Sequence, residues 1–282
     1  MNKRKSLLSG LFSLVSYTNR IIFLTVLFYI IFLIFSAFNE NIGRFIFLYP
    51  EDIVKGKSIW TLFTSIFMHG SITHLFVNML TLFFLGNFAE QIIGRKKFLL
   101  LYIISGVFGG IFYVLGAFIG TNIPFFSNAL GTLNVPAVGA SGALFGILGL
   151  LAILIPRFKV YLITGPIIVV IVSIILSNIF PSGFMGSVIN ILASIITLMM
   201  IYFMLSSNPN KRKYSLPIGM SMWVAPIVAI VPLVIISFII PLPIGNTAHL
   251  GGLIVGLIYG VFLRFKYPKK IFILQKLLIG TK

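Results

Sequence analysis

Eight long apolar stretches divide this chain: Ile21 to Phe38, His69 to Ile93, Phe98 to Ile119, Val138 to Ile155, Val160 to Asn178, Met185 to Leu205, Ile218 to Ile240 and Thr247 to Phe265. A helix needs about 20 mostly apolar residues to cross a bilayer, and each stretch comes near that length. Lipid offers no partner to a backbone N–H or C=O, so stretches of this kind fold as helices that satisfy their own backbone. The expected fold class is all-α, a polytopic transmembrane helix bundle with eight crossings. With 59% of residues hydrophobic, 9% charged and a mean hydropathy of +1.13, a water-soluble domain is excluded.

The net charge of +17 raises the question of nucleic acid, and the placement of the charges answers it. With the N-terminus inside, the inner segments hold all but three of the 21 basic residues; only Arg44, Lys55 and Lys57 fall outside. That is the positive-inside pattern, so topology accounts for the excess and no nucleic-acid partner is expected. Three of the four acidic residues, Glu40, Glu51 and Asp52, share the outer loop with those exceptions. There is no cysteine, which removes disulfides, thiolate nucleophiles and cysteine-held metals. The run from Ile21 lacks a small-residue cleavage site and reads as an anchor. The expected organisation is a cytoplasmic segment over 1–20, one transmembrane domain over 21–265 and a basic cytoplasmic tail over 266–282. Within that domain, the loop over 39–68 carries Phe45, Phe47, Tyr49 and Trp60 and is expected to lie in the membrane surface.

The costly residues in such a chain are the ionisable ones within apolar segments, and these are functional candidates by default. All three histidines, His69, His74 and His249, fall at outer helix ends. Ser141 lies in the run Gly139-Ala140-Ser141-Gly142, where small neighbours let another segment approach its hydroxyl. On the run alone, tight helix packing is the better reading. His249 changes the balance. Gly252, Gly256 and Gly260 follow it at i+3, i+7 and i+11, one helical face, while Gly142, Gly146 and Gly149 flank the face of Ser141. Two helices meeting through glycines could bring an imidazole within about 3 Å of the serine oxygen, a nucleophile with its base. His74 and Asn78, at i and i+4, present donors side by side and could hold a developing oxyanion. Glu90 lies too deep for that chemistry and is expected to tie helices or loops together. His69, at the membrane entry, is expected to brace the outer loop.

Together these residues resemble the rhomboid intramembrane serine proteases. The resemblance rests on Trp60, Phe63-Thr64 and Phe67-Met68-His69; on His74-x-x-x-Asn78; on Gly139-x-Ser141-Gly142; and on Ala248-His249-x-x-Gly252-x-x-x-Gly256. It implies a rhomboid-like core in which Ser141 is the nucleophile and His249 the general base, with the oxyanion held by His74, Asn78 and the Ser141 backbone N–H. Phe145 is then expected to pack beside His249, with Gly139, Gly142 and Gly252 in support. The resemblance further implies membrane-anchored protein substrates cut near the outer end of a spanning helix, a hydrated site open to the outside, and no metal or other cofactor.

Two departures stand out. Thr61 occupies the place where the family usually has arginine, and about three crossings fit between Ser141 and His249 where the basic six-helix core has one. Of those three, Ile218 to Ile240, joined directly to the histidine helix, is the candidate for the gate-side helix; alternatively, two of the three form a re-entrant pair. The competing readings are an inactive rhomboid-like protein that binds transmembrane helices and a small-solute transporter. The composition leans toward a prokaryotic plasma membrane.

Overall fold

In the computed structural model the described residues are 16–163, 168–169, 172–173, 175–176, 179–180, 184–206, 208–242 and 244–279. The described residues divide into two compact units, one drawn from 16–157 and 222–279 and the other from 158–221.

The first unit holds α1 (Tyr17–Ser36), α2 (Ile72–Ile93), α3 (Arg95–Asn122) and α4 (Ser141–Leu154). After the second unit it continues with α6 (Ala225–Ile239), α7 (Asn246–Lys266) and α8 (Pro268–Ile279). Its centre is the trio α3, α4 and α7, whose backbones approach because glycines face one another. A Cβ on Gly252 would overlap the carbonyl of Gly142, one on Gly256 that of Gly146, and one on Gly149 would stand 2.7 Å from the Leu253 oxygen. From α3, a Cβ on Gly109 would lie 2.9 Å from the Ala248 oxygen. Lipid supplies little hydrophobic drive between helices, so close backbone packing of this kind is the main source of cohesion.

The loop over 39–68 folds over the end of this trio. Leu48, 1% exposed, packs with Tyr113 and Val114 of α3, and its backbone pairs with Ala137 just before α4. Trp60 Nε1 donates to the Phe45 carbonyl (2.9 Å), Thr64 Oγ1 to the Ile46 carbonyl (2.8 Å), and Arg44 pairs with Asp52 at 3.0 Å. Buried Thr61, next to Trp60, donates to the Ser58 carbonyl (2.7 Å) and closes its own turn.

Glu90, near the far end of α2, does tie segments together. Its carboxylate accepts from Ser16 Oγ (2.8 Å), Tyr17 N–H (2.9 Å), Thr18 N–H (2.8 Å) and Thr18 Oγ1 (2.6 Å), and it lies 3.8 Å from Arg95. A buried carboxylate is tolerated when its lone pairs are filled in this way. The orphan N–H groups at the start of α1 are natural donors to it.

The second unit contains an antiparallel pair, β1 (Lys159–Ile163) with β2 (Pro217–Ser221), running from Lys159 opposite Ser221 to Ile163 opposite Pro217. Between the strands in sequence lies the apolar helix α5 (Phe184–Leu205). Beyond it Asn208 caps the turn Pro209–Arg212.

The helical, membrane-embedded architecture is as expected, but the number of crossings is not. Among the described residues five helices are long and apolar enough to span: α1, α2, α3, α5 and α7, not eight. Val138 to Ile155 becomes the 14-residue α4 because Gly139 takes φ +130° and the helix starts only at Ser141. Ile218 to Ile240 opens as β2 and leaves 15 residues for α6. At 1.5 Å per residue these helices measure about 21 and 23 Å, short of a hydrocarbon core about 30 Å thick. Val160 to Asn178 opens as β1, and most of its remainder lies outside the described residues.

Candidate active site

Ser141 is the first residue of α4, and the turn that delivers it depends on Gly139, since φ +130° is open to glycine and strained for other residues. His249 sits in the first turn of α7, buried at 8% exposure. The Gly142–Gly252 contact one turn along sets the two helices close enough for His249 Nε2 to meet Ser141 Oγ at 2.9 Å. The rings of Phe145 and His249 stack at 4.3 Å between centroids and 21° between planes. That stack limits rotation of the imidazole about its side-chain bonds. Among the described residues no group of three or more His, Asp or Glu side chains converges as a metal site.

His74 approaches from α2. A Cβ placed on Gly139 would stand 2.9 Å from His74 Cε1 and 3.0 Å from Nε2, so the imidazole lies against the turn that precedes the serine. Ser71 caps this helix by accepting from the His74 N–H (3.1 Å). Asn78, buried one turn on, donates through Nδ2 to the His74 carbonyl at 2.9 Å. An amide nitrogen carries two hydrogens, so this bond leaves one donor to offer. The Ser141 N–H, at the first position of α4, belongs to the helix-end donors with no intrahelical acceptor, and the positive end of the helix dipole lies there. Serine, imidazole and N-terminal N–H thus form a set able to activate an alcohol and stabilise a developing oxyanion.

His69 lies behind His74 and is buried at 1% exposure. It stands edge-on to His74 (centroids 5.0 Å apart) and to Tyr29 of α1 (6.5 Å), and neither ring nitrogen has a hydrogen-bond partner. Burial, and then the proximity of His74, push its pKa down to about 3, so it is a neutral packing element.

Two contributors were missed in the sequence. Asn246, at the start of α7, donates from Nδ2 to the Ala129 carbonyl (3.0 Å) and to Ser237 Oγ of α6 (2.9 Å), which fixes the end of the helix that carries His249. An asparagine near a helix start reads as an ordinary cap, and its distant partners leave no sequence signal. Helix α3 supplies the third wall. There the small-residue spacing Ser105, Gly106, Gly109, Gly110, Gly116, Gly120 was available as a clue.

The rhomboid domain model matches residues 56–204 and 192–266, a span that contains every residue of this site. This chain belongs to the rhomboid family. Rhomboid relatives occur in plants and bacteria. RHOMBOID-like protein 4 of Arabidopsis thaliana is 40% identical over 99 residues, 35% of this chain and 21% of its own length. Rhomboid protease GluP of Bacillus subtilis is 37% identical over 147 residues, 49% of this chain and 26% of its own. Inactive RHOMBOID-like protein 8 of A. thaliana is 28% identical over 112 residues, 39% of this chain and 28% of its own. The chain therefore spans about a quarter of these relatives, among which both a protease and an inactive protein are named.

Proposed function

We propose that this rhomboid is an intramembrane serine endopeptidase working through a Ser141–His249 dyad. The observation that carries the reading is the 2.9 Å contact between His249 Nε2 and Ser141 Oγ. In the proposed cycle Ser141 Oγ attacks the scissile carbonyl as His249 Nε2 takes its proton. The tetrahedral oxyanion accepts from the Ser141 N–H, His74 and Asn78. Collapse expels the amine, which receives the proton from His249, and leaves an acyl-serine. A water deprotonated by His249 then hydrolyses that ester and restores both groups. A third, carboxylate member would be expensive to bury at this depth, and the Phe145 stack holds the imidazole in its place.

The substrates we propose are membrane-anchored proteins cut near the outer end of a spanning segment that is easily unwound, because a stable helix hides its peptide bonds. The corresponding topology has both termini cytoplasmic and the site open to water on the other face. An inactive, helix-binding rhomboid is the rival reading; the intact and hydrogen-bonded serine and histidine favour catalysis. The test is hydrolysis of a labile single-span substrate by the purified protein in detergent. Activity should fall by roughly 10³-fold or more in Ser141→Ala and in His249→Ala and should survive a chelator. Cleavage undiminished in Ser141→Ala would refute the assignment.

A further inference from the structure

Helices α4 and α7 carry Ser141 and His249 at their first turns, so their last turns mark the opposite end of the bundle. There the chain turns at Tyr267 into α8, which lies against the bundle through one face. Ile271 is buried, Leu274, Gln275 and Leu278 are half-buried, and Gln275 Nε2 donates to the Leu154 carbonyl at the end of α4 (2.7 Å). The other face exposes Phe272, Ile273 and Leu277 together with Lys269, Lys270 and Lys276. Such a helix, apolar and basic on its free side, suits the plane where acyl chains meet headgroups.

The charges at this turn are concentrated. Lys97 Nζ of α3 stands 4.7 Å from the centroid of the Tyr267 ring, Lys270 Nζ 5.6 Å and Lys266 Nζ 5.8 Å. Three ammonium groups around one ring lie within about a Debye length of one another and repel. Among the described residues the ion pairs are Arg44–Asp52, Lys55–Glu51 and Arg95–Glu90, so no carboxylate pairs with any of the three lysines. The ring face offsets part of the repulsion; a shared anion would offset more. Beside the cluster, Pro268, Lys269, Phe272 and Ile273 line a shallow groove of about 450 Å³ with an almost wholly apolar surface.

We propose that Lys97, Lys266 and Lys270, gathered around Tyr267, form a binding site for the phosphate of an anionic phospholipid, with an acyl chain lying along Phe272 and Ile273. The ammonium groups, each within about 6 Å of the Tyr267 ring centroid, supply the positive charge and donors for one phosphate, with Lys266 also lying over the Phe262 ring at 5.2 Å. The groove supplies the apolar contact that a free anion would not use. The site is at the end of the bundle remote from the dyad and does not depend on the proteolytic reading.

Thermal unfolding of the full chain in a neutral detergent, titrated with phosphatidylglycerol, phosphatidylcholine or inorganic phosphate, tests it. Phosphatidylglycerol should raise Tm in a saturable way while the other two leave it unchanged. In the triple variant Lys97→Gln, Lys266→Gln, Lys270→Gln the phosphatidylglycerol concentration for half-effect should rise roughly tenfold or more. Lys97→Gln alone, a single exposed side chain, should shift it a few-fold and serves if the triple variant does not fold. Lys211→Gln, in the turn Pro209–Arg212 of the second unit, should leave it unchanged. An equal rise with phosphatidylcholine, a rise reproduced by phosphate alone, or an unaltered response of the lysine variants would each overturn the site.

Discussion

At the scale of single residues, burial decides which histidine does what. His249 reaches the serine, His74 lies against the turn before it, and His69 is packed where neither nitrogen finds a partner. The pKa of His69, pushed from 6.5 to about 3, makes a prediction with a definite sign. Above pH 6.5 both folded and unfolded chains hold it neutral, and its contribution to stability is complete. Between pH 6.5 and about 3 the unfolded chain takes up a proton that the fold refuses, so stability falls as pH falls. Resistance to thermal unfolding should therefore decline through this window, and His69→Phe should flatten that decline. An unchanged acid limb in the variant would place the dependence elsewhere. The site was legible at this scale because histidine is expensive in an apolar segment, so three histidines and one serine in a small-residue run stood out from their surroundings. Asn246 was not legible, since its partners Ala129 and Ser237 are remote in sequence or on another helix.

At the scale of elements, the glycine spacing on α4 and α7 told which faces meet, because period 3.6 turns a sequence interval into a helix face. Gly256→Ala tests this. The added Cβ would overlap the Gly146 carbonyl, a backbone atom that cannot rotate away, so the helices must separate. A loss of about 1–3 kcal/mol in unfolding free energy is expected, with activity reduced even where the protein remains folded. The opposite outcome, a variant as stable and active as the parent, would mean that the helices are held apart by other contacts. Element boundaries were less legible. Hydropathy averages over about 20 residues and does not distinguish a strand from a helix, so β1 and β2 were absorbed into predicted crossings. Nor does it see that Gly139 delays the start of α4.

At the scale of the whole molecule, the chain leaves the first unit at Arg157 and returns at Met222, and the Trp223 N–H donates to the Pro156 carbonyl at 3.2 Å. The two ends of the break are adjacent, so the trio α3, α4 and α7 closes without the intervening residues. Replacing residues 158–221 by a short Gly-Ser linker should leave a folded protein with activity within roughly tenfold of the parent, since loop closure costs little once the ends already meet. Collapse of folding or complete loss of activity would make the second unit part of the catalytic bundle. The family was legible in the sequence at this scale; the crossing count was not, because Val160 to Asn178 and Ile218 to Ile240 are apolar enough to read as crossings although each opens as a strand.

The account depends on His249 turning the Ser141 hydroxyl into a nucleophile. The most direct measurement is labelling by a fluorophosphonate probe, with the modified residue located by mass spectrometry. The account predicts one adduct, on Ser141, that is strongly reduced in His249→Ala. An adduct on another residue, or undiminished labelling of Ser141 without His249, would contradict it.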